Sequence, residues 1–350
     1  MRLVTFAAPD GEDGDGGEAD EAEERPARRR VGAVVGDAVL GGEGDGTLEV
    51  VDVTAARAAV LADAGHDAPW AAARTETPPE MAALLARDGP DLERTRATLD
   101  RVGDREHYDG ERVRYDRSEV ALQAPLPRPN SIRDFMAFEE HVQNTVGEPP
   151  DVWYEMPVHY RTNPDTVVGP GADVPLPSYA DRLDYELEFA AVIGERCRDV
   201  SEEDAMDVVA GYTVFDDFSE RNIQLREMQG NLGPAKAKGF ANALGPCLAT
   251  PDEVDIDDAA MTGVVNGEEV AEGDTGDVHH DVAALVAHAS DSEPLFPGDV
   301  LGSGTVGGGC GLENGVFLDP GDAVALSVEG VGTLRNKVVE REGARSVDKG

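Results

Sequence analysis

The sequence predicts a strand-rich α+β fold, and three observations carry that expectation. After Ser131, apolar runs such as YELEFAAVIG, VAGYTVF and AVALSVEGVGTL follow one another without regular helix alternation. Ahead of them, residues 54–99 form an Ala/Leu/Arg-rich stretch with helical spacing. Between the two lies an extended connector marked by Pro125, Pro127 and Pro129. The expected organisation is a smaller N-terminal α+β domain, residues 1–125, followed by a larger strand-rich domain, residues 126–345.

Taken in order, Asp10 to Glu24 holds nine acids among Gly and Ala and reads as a solvated, mobile segment. Asp13 and Asp15 have the spacing of a calcium loop, but the later ligand positions and flanking helices are missing. Arg30 to Val53 alternates short apolar runs with Gly-Asp turns, which predicts a small antiparallel sheet. Thr54 to Leu99 predicts two or three helices, punctuated by Pro78 and Pro79. Val113 to Ala121 reads as a further strand. In the second domain helices are expected at Ile132 to Thr145, Glu202 to Val208, after Asp217, and at Asp281 to Ala289.

Composition narrows the function. The chain has 350 residues with 71 Asp or Glu against 30 Lys or Arg, a net charge of −41. Such a field repels nucleic acid and anionic lipid, which excludes groove binding or a polybasic membrane role as the main function. Lysine occurs only at Lys236, Lys238, Lys337 and Lys349. An acidic, lysine-poor surface is expected of a cytosolic protein in a very salty cell, where salt screens self-repulsion. Cys197, Cys247 and Cys310 are far apart, and no CxxC occurs, so neither a disulfide framework nor a zinc knuckle is indicated. No run approaches 18 apolar residues and the start lacks a signal-peptide core, so a soluble, cytoplasmic protein is expected.

With acids at about a fifth of all positions, a carboxylate matters only in context. In DRLDYELEFAAVIG, Glu186 and Glu188 are two apart and face one side of a strand that enters the core. Such a pair is tolerated where a divalent cation lies between its members, or on a strand edge facing salt water. In FDDFSERNIQLREM, helical spacing would align Asp217, Arg221 and Gln224, either as a ligand-binding stripe or as a surface Asp–Arg pair. In SIRDFMAFEEHVQN, a helix capped by Ser131 would put Asp134 and His141 on one face, though a lone histidine can equally flank the core.

The AKAKGF segment spends two of the four lysines, which suggests that Lys238 is kept as a compact ammonium while Lys236 is solvated. GSGTVGGGCGLENG contains a literal GxGxxG, but more glycines follow where a dinucleotide-binding helix should open. What remains is a glycine loop that lets backbone amides approach a ligand, with Thr305 and Glu313 nearby.

These five segments, in this order, resemble the fumarylacetoacetate hydrolase family from about Pro125 to Val338. The resemblance implies that family's strand-rich mixed β-sandwich or β-roll catalytic domain, and a homodimer. It implies one divalent cation, Mg²⁺ or Ca²⁺ with Mn²⁺ as an alternative, held by Asp134, Glu186, Glu188 and Asp217. It further implies catalytic roles for His141, its supporting Glu313, Lys238 and Arg221, and substrate contacts from Gln224, Tyr160 and Thr305. Two tyrosines of the hydrolase proper correspond to Met136 and Met228 here, so the substrate need not be fumarylacetoacetate itself.

The implied chemistry is hydrolysis of a carbon–carbon bond in a 1,3-dioxo acid of the acylpyruvate type. His141 would deprotonate water, and Lys238 with the cation would stabilise the enolate that leaves. A hydratase, dehydratase, isomerase or decarboxylase of 2-oxo acids is the alternative on the same scaffold. A non-catalytic cation-binding protein is the third reading.

Overall fold

The apolar runs pair into one large mixed sheet and one smaller sheet, with the helices set outside them. In the computed structural model, residues 1–8 and 29–341 are described. The acidic segment 10–24, with Asp13 and Asp15, lies outside the described residues.

Among the described residues the larger sheet has 12 strands. Its main path runs from Arg114–Asp116 through Glu49–Asp52, Arg29–Val35 and Arg2–Ala7 to Asn242–Ala249, Val209–Asp216 and Glu188–Ile193. It ends on Val300–Gly302, Ile132–Phe135 and His159–Thr162. Every residue of the strands Glu188–Ile193, Val209–Asp216 and Asn242–Ala249 is buried, which is why these runs are apolar on both faces. Pairing of Arg2 with Ala249 and Leu3 with Leu248 carries the sheet across residue 125 without a break. A second, 5-stranded sheet contains Asp173–Pro175, Gly332–Val339, Ala323–Val328, Ala260–Val265 and Glu268–Asp274. A large apolar cluster including Tyr185, Leu187, Val214, Met261 and Leu326 fills the space between the two sheets. The strand-rich α+β class is the observed one.

The N-terminal strands Arg29–Val35 and Glu49–Asp52 pair antiparallel as expected. The stretch after them folds into four helices, Val53–Asp63, Pro69–Glu76, Met81–Asp88 and Glu93–Val102, one more than expected. The first is capped by Asp52, whose side chain accepts from the Ala55 amide at 2.9 Å. Its small Ala55, Ala56 and Ala59 allow close packing against Val51, Val102 and Val113.

Three local expectations are corrected. Ile132–Phe135 is a strand, and the helix begins only at Glu139. Flanked on both sides by strands and with all four residues buried, the segment gains more from the sheet than from a capped helix. Residues 113–121 are not one strand but Arg114–Asp116, a 3₁₀ turn at Arg117–Glu119, and the start of Ala121–Gln123. Glu202–Val208 winds as a 3₁₀ helix, not an α-helix.

Candidate metal centre and active site

Register along the large sheet brings the carboxylates together. Tyr160 lies opposite Asp134, Asp134 opposite Gly302, and Gly302 opposite Ala190, two residues beyond Glu188. Glu188 in turn lies opposite Phe215, two residues before Asp217. A single line across neighbouring strands therefore carries Tyr160, Asp134, Glu188 and the approach to Asp217. Gly302 keeps that line open, since a Cβ there would fall 2.6 Å from Asp134 Oδ1.

Asp134, Glu186, Glu188 and Asp217 each offer one oxygen, and these oxygens lie within 4.8 Å of one another. All four residues are buried. Asp134 and Asp217 reach this cluster from a strand and from the turn after a strand, so the helical alignments expected from their spacing are both corrected. Convergence here comes from strand ends, because the buried apolar runs on either side fix the chain as sheet.

Three buried oxygens, Asp134 Oδ1, Glu188 Oε1 and Asp217 Oδ1, have no hydrogen-bond partner. Unpaired buried carboxylate oxygens are costly unless a cation satisfies them. The donor set is all oxygen with no imidazole or thiolate, which suits a hard divalent cation such as Mg²⁺ or Ca²⁺. These residues therefore fit the divalent cation that the resemblance implies.

Electrostatics point the same way. Burial pushes Glu188 and Asp217 well above the usual carboxylate range, and nearby carboxylates add to the effect. Burial also raises Asp134, against the pull of Lys238. Burial would raise Glu186 too, but Lys238 and Arg221 overcome it and hold this group low. Its Oε2 accepts from Lys238 Nζ at 2.7 Å and its Oε1 from Arg221 Nη2 at 2.7 Å. Lys238 also bonds Asp217, as does the Tyr160 hydroxyl. Burial works to lower Lys238, yet Asp217 and Glu186 lift it above the ordinary lysine range, so it stays an ammonium.

On the helix Glu139–Thr145, His141 meets Glu313, with Nδ1 to Oε2 at 2.8 Å. Glu313 is itself fixed by the Gly308 amide at 2.9 Å, Asn144 Nδ2 at 2.9 Å and the Cys310 thiol at 3.2 Å. With Nδ1 donating to the carboxylate, Nε2 is the basic nitrogen of the ring. His141, Tyr160, Lys238, Arg221, Gln224, Thr305, Asp134 and Glu186 line one cavity of about 340 Å³. Thr305 Oγ1 donates to Leu187 O at 3.2 Å, and Gln224 Oε1 accepts from Arg221 Nη1 at 2.9 Å. The glycine loop is a ligand of the cluster by its backbone: the Gly304 amide donates to Glu188 Oε2 at 3.0 Å. Gly304 has φ +78, and a Cβ there would meet Phe135 O at 2.4 Å.

Not every remaining acid is solvated. Asp184, Asp216 and Glu220 are buried behind the cluster. Asp216 Oδ1 accepts from the Glu186 amide at 3.0 Å, and Glu220 caps the helix Arg221–Met228 through the Ile223 amide at 2.7 Å. Asp184 sits directly before the Tyr185–Phe189 alternation, a position that could have marked it in the sequence.

Comparison with known proteins agrees with the geometry. The family model described as fumarylacetoacetate (FAA) hydrolase C-terminal matches residues 130–339. The chain is 39% identical over 177 residues to a 2,4-didehydro-3-deoxy-L-rhamnonate hydrolase of Sphingomonas sp. (strain SKA58), covering 49% of this chain and 61% of that protein. It is 34% identical over 227 residues to a mitochondrial oxaloacetate tautomerase of Homo sapiens, covering 64% of this chain and 71% of the relative. Among solved structures, a fumarylacetoacetate hydrolase of the psychrophile Exiguobacterium antarcticum superposes with a TM-score of 0.66 at 23% identity. That superposition covers 97% of this chain and 100% of the other, and at this identity it speaks for the fold.

Proposed function

The chain belongs to the fumarylacetoacetate hydrolase family, and on that premise we propose that it hydrolyses a carbon–carbon bond in a 1,3-dioxo acid of the acylpyruvate type. The observation that carries the reading is the His141–Glu313 pair, 2.8 Å apart, whose histidine lines the same cavity as Asp134 and Glu186 of the acid cluster. Water activation needs a base of this kind at the carbonyl, whereas a tautomerase would need one at the α-carbon, so the products tell the two apart. Asp134, Glu186, Glu188 and Asp217 would hold the divalent cation, which when bound supplies Lewis acidity toward the oxo groups.

The rest is done by side chains. Glu313 keeps Nδ1 of His141 protonated and the ring oriented, so Nε2 takes a proton from water. The hydroxide attacks the carbonyl carbon distal to the carboxylate, and the bond to the central carbon breaks. The electron pair leaves as an enolate, against which the Lys238 ammonium supplies positive charge. Return of the proton held on Nε2 to the central carbon then completes the pair of acids and restores the base. Gln224 and Thr305 line the space for the oxo acid, and Arg221 braces Glu186 from behind. All these residues fall in 126–345, which we take as the catalytic part.

A tautomerase or lyase of 2-oxo acids is the second reading, favoured by the tautomerase relative. Release of both acid products from an acylpyruvate with cation decides between them, and His141→Ala in the same assay tests the base. Loss of roughly 10²- to 10⁴-fold in hydrolysis with cation binding kept supports the hydrolase. Unimpaired turnover overturns it.

A further inference from the structure

The cavity has two chemically different ends. Its floor holds Asp134, Glu186, Arg221 and Lys238, each 4% exposed or less. Its mouth is formed by Val146, Leu225 and Met228, which are 63%, 54% and 50% exposed, with Met136 half-buried beneath them. Among the described residues that line it, Arg221 and Lys238 are the only Arg or Lys, and both are spent on the floor. Arg221 bonds Asp184, Glu186 and Gln224, and Lys238 bonds Glu186 and Asp217. Of the two histidines, His141 is bound to Glu313 and His159 stacks on Phe135 at 4.7 Å.

A second carboxylate at the far end of a substrate would thus meet no cation, inside a chain of net charge −41. A polyhydroxylated tail would find no hydrogen-bond partner in the Met, Leu and Val side chains there to replace the water it gives up. An alkyl or aryl tail loses nothing there and buries apolar area. Methionine at two rim positions adapts to such groups without a fixed shape.

We infer that the acyl tail of the substrate is apolar and uncharged, and that Met136, Val146, Leu225 and Met228 set this specificity. The reacting end rests on the hydrolase reading above; the tail preference does not depend on which bond reacts. It also separates this chain from its sugar-acid relative, whose name specifies a rhamnonate.

The test uses the full chain with Mg²⁺ and three acylpyruvates sharing one reacting end, with a butyl, a trihydroxypropyl or a carboxyethyl tail. The expected kcat/KM favours the butyl tail by at least about tenfold. Met228→Arg should shift the preference toward the carboxyethyl tail. In parallel, thermal shift is measured with simple 2-oxo acids bearing the same three tails, which lack the scissile dioxo unit. Hydrolysis without a tail order, or with the hydroxylated or carboxylated tail preferred, overturns the tail inference and leaves the hydrolase standing. No hydrolysis, but stabilisation by the butyl compound above the others, overturns the hydrolase and supports the tail. Absence of both turnover and selective stabilisation overturns both.

Discussion

Asp184 Oδ2 accepts from Arg221 Nε at 2.6 Å while the same carboxylate accepts from the Gly311 and Leu312 amides at 2.6 and 3.0 Å. One fully buried side chain thereby ties the guanidinium that braces Glu186 to the short helix that carries Glu313. The acid cluster and the His141–Glu313 pair are positioned from a single point.

Asp184→Asn should accordingly disturb both. Breaking a buried ion pair costs about 3–5 kcal/mol, so the urea midpoint should fall steeply. In protein that remains folded, kcat should drop together with Mg²⁺ affinity, whereas a fault in packing alone would leave the apparent affinity for Mg²⁺ unchanged. Calorimetry and kinetics on the same preparation check this.

Titration of the native chain with Mg²⁺ or Ca²⁺ in concentrated KCl should show one tight site. Glu186→Gln and Glu188→Gln should each weaken it by more than about tenfold, since both lose a carboxylate that the cluster holds within 4.8 Å of the others. Many weak sites, unchanged in either variant, would mean that the chain binds cations only through its acidic surface.

Glu313 gives a pH signature. Burial would raise its carboxyl, but the His141 hydrogen bond, with help from Gly308 and Asn144, holds it below the ordinary value of 4.5. A depressed carboxyl takes up its proton at higher pH in the unfolded chain than in the folded one. Its stabilising contribution is therefore complete above about pH 4.5 and is lost as pH falls through the folded value. The stability gap between the native chain and Glu313→Gln should close as pH falls below about 4.5, as read from urea midpoints at successively lower pH. A gap that stays constant or widens there contradicts the assignment.

Salt should stabilise the whole molecule. With 71 acids against 30 basic residues, self-repulsion is strong in dilute buffer and shortened to a few ångströms at about 1 M salt. Tm should rise markedly between 0.1 and 2 M KCl. A flat or falling Tm would remove high ionic strength from the account of this composition.

Local sequence was enough for the strand-rich class, the paired glutamates and the unusual lysine. Glu186 and Glu188 were legible because a strand alternates with period two, and Lys238 because lysine is scarce in this chain. The same local logic misplaced Asp134 and Asp217 on helices, since a cap and an i, i+4 spacing look alike whether or not a sheet claims the segment. Asp216 and Glu220 were hidden among the many acids, because nothing within a few residues says which carboxylates leave water.

What the sequence by itself determined is the inventory: the residue types of a cation site, a base and a glycine loop, in an order that matches one family. Only the tertiary structure decided the geometry. Register across five neighbouring strands aligns Tyr160, Asp134, Glu188 and the approach to Asp217, and two helices close on each other to join His141 to Glu313, 172 residues apart. The resemblance pointed to Met136 and Met228, but their meeting with Val146 and Leu225 at the mouth of the cavity was out of reach, for the four lie on three separate segments. The reason is physical: alternation and capping act over a few residues, whereas desolvation of a carboxylate depends on every element packed around it.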